Sequence, residues 1–125
     1  MAHCDEALTR IGKAITAYQE KFAHQNPPDL QTLIDNQSIT PWDLVCPVSP
    51  FEFGQCPYIY RGGDLDADAP PKMILAYDKL PCHKGRRNVL FTDGKIIRPP
   101  EKLFQSFIRQ DNQLRRELNL PEKSA

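Results

Sequence analysis

The stretch "NVLFTDGKIIR", residues 88 to 98, decides the fold. Two β-prone runs flank Asp93-Gly94, and Asp-Gly in that setting is the strongest short-range hairpin signal. A type I′ turn needs positive φ at both central residues, so a tight two-residue turn is expected at Asp93-Gly94. Pro99 and Pro100 close the second run, because proline cannot donate to a sheet ladder. Further upstream, "YIY" at 58 to 60 and "MILAYD" at 73 to 78 are two more strand candidates. The intervening "RGGDLDADAPP" reads as an exposed loop. The sheet therefore spans about residues 57 to 98.

Helices bracket this sheet. In "EALTRIGKAITAYQEKF", Leu8, Ile11, Ile15, Tyr18 and Phe22 recur at helical spacing, with Arg10, Lys13, Glu20 and Lys21 on the other faces. This helix, at about 5 to 25, ends before Pro27 and Pro28. Gly12 inside it costs roughly 1 kcal/mol relative to alanine, which implies a close packing neighbour. A short second helix in "PPDLQTLIDNQ" turns Leu30, Leu33 and Ile34 inward. Residues 38 to 55 read as irregular, broken by Pro41, Pro47 and Pro50, with Trp42, Phe51 and Phe53 covering core edges. A final helix, about 101 to 118, carries Leu103, Phe104, Phe107, Ile108, Leu114 and Leu118. The expected class is α+β in a single domain, 1 to 125: an N-terminal amphipathic helix on a small antiparallel sheet, then a C-terminal helix.

Charge and cysteine content narrow the function. Sixteen basic residues balance sixteen acidic ones, whereas nucleic-acid binders need a basic surplus to release counterions. No nucleic-acid partner is expected. No apolar run approaches the roughly eighteen residues of a membrane span, and no signal-peptide pattern is present. A segment for export or anchoring would lie outside this chain. Four cysteines in a small, loop-rich chain suit one or two disulfides and an oxidising compartment.

Candidate chemistry is thin. Cys82 and His83 are consecutive, and neighbours in extended chain point to opposite faces, which hinders proton transfer between them. Cys46, Cys56, Cys82 and His83 would supply four zinc ligands, but their spacing departs from the paired knuckles of common zinc sites. A zinc module or small enzyme built on these four is the alternative function. Asp64, Asp66 and Asp68 alternate like the start of a calcium loop, yet Ala69 and Leu75 stand where the loop needs glycine and glutamate. They remain weak calcium candidates, with a solvated acidic loop as the default. Lys84, Arg86 and Arg87 read as a solvated basic turn. His83 either pins its loop to the strands through a local hydrogen bond or is an exposed loop histidine. No cofactor and no catalysis are expected.

Cys56 precedes the first strand by two residues, and Cys82 follows the second by four. If those strands pair antiparallel, both cysteines reach one end of the sheet, within the Cα separation of about 4.4–6.8 Å that a disulfide needs. A Cys56–Cys82 disulfide is therefore expected. The competing link is Cys46–Cys82, and Cys4 with Cys46 forms a possible second pair.

The ordered set of motifs resembles pseudopilin-like proteins related to the type II secretion pseudopilins, in the variety marked by His-x9-Asp-Gly. Here that motif runs from His83 to Asp93-Gly94, with "NVLFTDGKI" as its ending. Upstream, "LTRIGKAITAYQEKF" and "PPDLQTL" resemble the exit of the family's stem helix, with Cys4, Gly12 and Tyr18. "LVCP", "YIY" and "ILAYD" resemble its middle section, so the likeness covers about residues 4 to 98. The resemblance implies a pilin-like head, a structural subunit of a pseudopilus or type IV pilus-like secretion assembly. It implies other pilin-like subunits and secretion components as partners. It also implies a place on the periplasmic face of the cell envelope, with membrane attachment through an N-terminal apolar helix missing here. The family's calcium loop is not matched, so no ligands carry over.

Overall fold

Strands β1 (Tyr58–Tyr60), β2 (Ile74–Asp78), β3 (Val89–Phe91) and β4 (Ile96–Ile97) form one antiparallel meander, each strand paired with the next in sequence. The structure, a computed structural model, describes residues 3–36, 39, 58–79 and 85–123. The helices are α1 (His3–Lys21), α2 (Leu30–Asp35) and α3 (Glu101–Glu117), and a 3-10 turn covers Gly62–Asp64. The chain is α+β, as its sequence pattern implies.

The sheet is covered on both faces. Leu8, Ile11, Ala14 and Ile15 of α1 join Leu30 and Leu33 of α2 against Leu75, Ala76 and Leu90. On the opposite face, Phe104 and Ile108 of α3 pack on Ile74, Tyr77, Val89 and Phe91. Alternation in β3 explains its share, with Leu90 facing one layer and Val89 and Phe91 the other. β2 breaks the alternation. Its register against β3 shifts between Ile74 and Ala76, so the adjacent Leu75 and Ala76 both face the α1 layer. A bulge of this kind re-aims side chains, here turning both Ile74 and Tyr77 toward α3.

Helix α1 follows its periodicity, with Leu8, Ile11 and Ile15 buried and Tyr18 half-buried. Gly12 has the expected close neighbour: a Cβ there would meet Leu90 Cδ1 at 3.4 Å. The helix stops at Lys21, short of the expected 25, because Ala23 and His24 take positive φ. The His24 amide then donates back to the Gln19 carbonyl at 2.7 Å, satisfying a helix-end acceptor. Phe22, read as part of the buried stripe, lies beyond the helix and is 38% exposed, stacked on Tyr18. For α2, Asp29 is the N-cap and accepts from the Thr32 amide and hydroxyl at 2.8 and 2.7 Å. Those bonds hold the Asp29 carboxyl below the usual carboxylate range.

The β3–β4 hairpin forms where Asp93-Gly94 stands, but its loop has three residues. The Gly94 amide donates to the Phe91 carbonyl, and the Phe91 amide donates to the Lys95 carbonyl, each at 2.9 Å. Only Gly94 has positive φ, at 85°. This is a type I turn followed by a left-handed residue, the usual three-residue hairpin loop. The expected two-residue type I′ turn is therefore corrected. Asp93 caps the loop instead, its Oδ1 accepting from the Lys95 amide at 2.9 Å.

Candidate functional site

The largest departure from expectation lies in the segment read as an exposed loop. Arg61, at its start, is buried to 1% exposure, and Asp111 and Arg115 of α3 are at 0%. Asp111 Oδ2 accepts from Arg61 Nη2 at 2.7 Å, from Arg61 Nε at 3.0 Å and from Arg115 Nε at 3.2 Å. Its Oδ1 accepts from the Ile74 backbone amide at 2.8 Å. Arg115 Nη1 reaches both oxygens of Asp64, at 3.0 and 2.8 Å, and its Nη2 donates to the Arg61 carbonyl. Two guanidiniums thus face two carboxylates. Full pairing is what makes buried charge tolerable, since an ion stripped of water and partners costs several kcal/mol.

This cluster also secures the chain after α3. Arg61 Nη1 donates to the Lys123 carbonyl at 2.8 Å, and Asn112 both accepts from the Lys123 amide and donates to its carbonyl, each at 2.9 Å. Burial pushes the Lys123 ammonium down from its ordinary range. Asn119 takes a left-handed φ of 60°, and the Leu120 amide turns back to the Arg115 carbonyl at 2.8 Å. The sealed Arg61–Asp111–Arg115 groups offer no face to a substrate, and their chemistry is that of a fastening.

A second polar cluster joins the basic turn to α3. Arg87 binds Glu101 in bidentate fashion, at 2.9 and 3.0 Å, and its guanidinium lies 4.6 Å from the centre of the Phe104 ring. The Arg87 hydrogen bonds hold the Glu101 carboxyl below its usual range. Beside them the Asn88 amide donates to Asp78 Oδ2 at 2.8 Å, and Arg98 Nε donates to Asn88 Oδ1 at 2.9 Å. The Tyr77 hydroxyl is buried near Arg61, and burial raises its pKa. Burial also raises the pKa of Tyr60, whose hydroxyl donates to the Pro27 carbonyl at 2.7 Å.

The residues singled out in the sequence fall as follows. Asp64 is engaged by Arg115, and Asp66 accepts from the Asp68 amide at 2.9 Å in a local turn. Among the described residues, no group of three or more histidine, cysteine, aspartate or glutamate side chains is placed to hold a metal. The reading of Arg87 as part of a solvated turn is corrected by its bond to Glu101 and its stacking on Phe104. Asp93 and Gly94 form the hairpin loop. His83, Lys84, Cys46, Cys56 and Cys82 lie outside the described residues, as do Trp42, Phe51 and Phe53. Cys4 stands in the first turn of α1, and its side chain is likewise outside them.

Sequence reading missed Asp111 and Arg115 as core residues. The signal was present: Phe104, Ile108, Asp111 and Arg115 step by four, three and four, continuing the buried stripe of α3 in charged residues. No described helix is long and apolar enough to cross a membrane. In comparisons with known proteins, no family model, curated protein or solved structure matches the chain.

Proposed function

We propose that this chain is the head of a pseudopilin-like subunit, a structural part of a pseudopilus or type IV pilus-like secretion assembly at the periplasmic face of the cell envelope. One observation carries the reading: α1 precedes the sheet, and its apolar face is spent on an antiparallel meander. The turn residues of the His-x9-Asp-Gly resemblance supply support, because Asp93 and Gly94 form the loop that reverses the meander's last hairpin. In such a subunit an apolar helix continuing α1 upstream makes the filament core, and the head coats it. The work is packing, not turnover.

Photo-crosslinking in the source cells tests this reading. A crosslinker at Lys13 or Ala17, exposed on α1, is expected to capture subunits that carry a prepilin leader. Capture confined to proteins without such a leader would contradict the proposal.

A further inference from the structure

A depression of about 260 Å³ opens between the β3–β4 hairpin and α3. Phe91, Ile97 and Phe107 give it an apolar floor, and the exposed Lys72 and Lys95 stand at its rim. The one carboxylate there, Asp93, already binds the Lys95 amide. Neither lysine forms an ion pair among the described residues. The space is below the roughly 300–1,000 Å³ of small-molecule sites. It suits one large apolar side chain carried on an acidic surface.

The chain itself presents such a surface. Three large apolar side chains are exposed among the described residues: Phe22, Leu103 and Leu118. Phe22 follows Lys21, whose ammonium lies 5.6 Å from its ring centre, and Leu103 follows Lys102. Leu118 alone follows a carboxylate, that of Glu117. It also borders a depression lined by Asp64, Asp66 and Asp68. Asp66, Asp68 and Glu117 form no ion pair among the described residues. The molecule is neutral as a whole; near Leu118, Arg116 pairs with Glu122 and Asp64 with Arg115 and Lys123, which leaves Asp66, Asp68 and Glu117 as the carboxylates opposite in sign to Lys72 and Lys95.

We propose that Leu118 of one copy inserts into the Phe91–Ile97–Phe107 groove of a second copy, with Glu117, Asp66 and Asp68 facing Lys72 and Lys95. A chain does not fill its own groove this way. Gln110 lines the groove and Leu118 comes eight residues later, about 12 Å along the helix axis. Knob and groove are different surfaces, so the contact is heterologous and repeats in an open series unless its rotation closes a ring. Opposite charge steers and orients the encounter, and salt weakens it. The inference does not rest on the pseudopilin reading, since its test concerns copies of this chain alone.

The test mixes isotopically heavy and ordinary full chain at low ionic strength, then couples carboxylates to lysines with a zero-length carbodiimide. Heavy–light peptides joining Glu117, Asp66 or Asp68 to Lys72 or Lys95 are the expected products. Their yield should fall about tenfold in Leu118→Ser, an exposed position whose variant is expected to keep the fold, with circular dichroism as the check. Lys95→Glu alone and Glu117→Lys alone should each lose the Glu117–Lys95 product, and mixing those two variants should restore coupling between positions 95 and 117. Products found only within one copy, or a yield unchanged in Leu118→Ser, would overturn the proposal.

Discussion

Asp111 uses both carboxylate oxygens, one on the Ile74 amide and the other on two guanidiniums. Removing it takes from two buried guanidiniums the carboxylate they share. Asp111→Ala is therefore expected to cost about 3–5 kcal/mol, the penalty of breaking a buried ion pair from one side. Urea unfolding measures it, and a loss below about 1 kcal/mol would mean that water replaces the carboxylate. Glu101 sets a pH dependence. Its folded-state pKa lies below the unfolded value of about 4.5, chiefly through the hydrogen bonds from Arg87. The unfolded chain thus takes up the proton first as pH falls. The contribution is complete above the unfolded pKa and is lost as pH falls through the folded one. Glu101→Gln should lower stability at neutral pH by no more than about 1 kcal/mol, because the carboxylate is partly exposed. Wild type and variant should converge in acid. Urea midpoints across pH check this, and a gap that widens in acid would contradict it.

At the scale of elements, the sequence was most legible where local chemistry decides. The strands lie within a residue or two of their β-prone runs, and α1 buries Leu8, Ile11 and Ile15 as its period demands. Asp93-Gly94 located the hairpin but not its loop length, because one left-handed residue after a type I turn closes a three-residue loop, whereas a type I′ turn needs two. Gly94 carries that conformation, and a Cβ there would meet nothing within 4 Å. The cost of Gly94→Val is then purely that of the backbone, about 1–2 kcal/mol. Thermal unfolding should show a lowered midpoint, and an unchanged one would place the left-handed residue elsewhere. Less legible was anything set by partners distant in sequence. Arg61 looked like loop because nothing nearby in the chain announces Asp111, fifty residues on. The bulge in β2 was hidden likewise, since Ile74, Leu75 and Ala76 are all apolar and fit either face.

Across the whole molecule, a meander between two helical layers brings the ends of neighbouring strands together. Tyr58 pairs with Asp78, which meets the condition on which the Cys56–Cys82 disulfide was expected. Both cysteines lie outside the described residues, so the link stands as a prediction. Peptide mapping without reduction should recover Cys56 joined to Cys82, and free thiols at both positions in air-exposed protein would refute it. In the chain-entropy view, closing a loop of that size stabilises by about 3 kcal/mol.

The function turns on what α1 is joined to in the cell. The most direct measurement is the N-terminal sequence of the native protein isolated from its source cells, read together with the genomic frame upstream of Met1. The pseudopilin account predicts a processed prepilin leader and an apolar helix of about twenty residues, joined in frame to α1. A native chain that begins at Met1, with no such segment encoded ahead of it, would contradict the account.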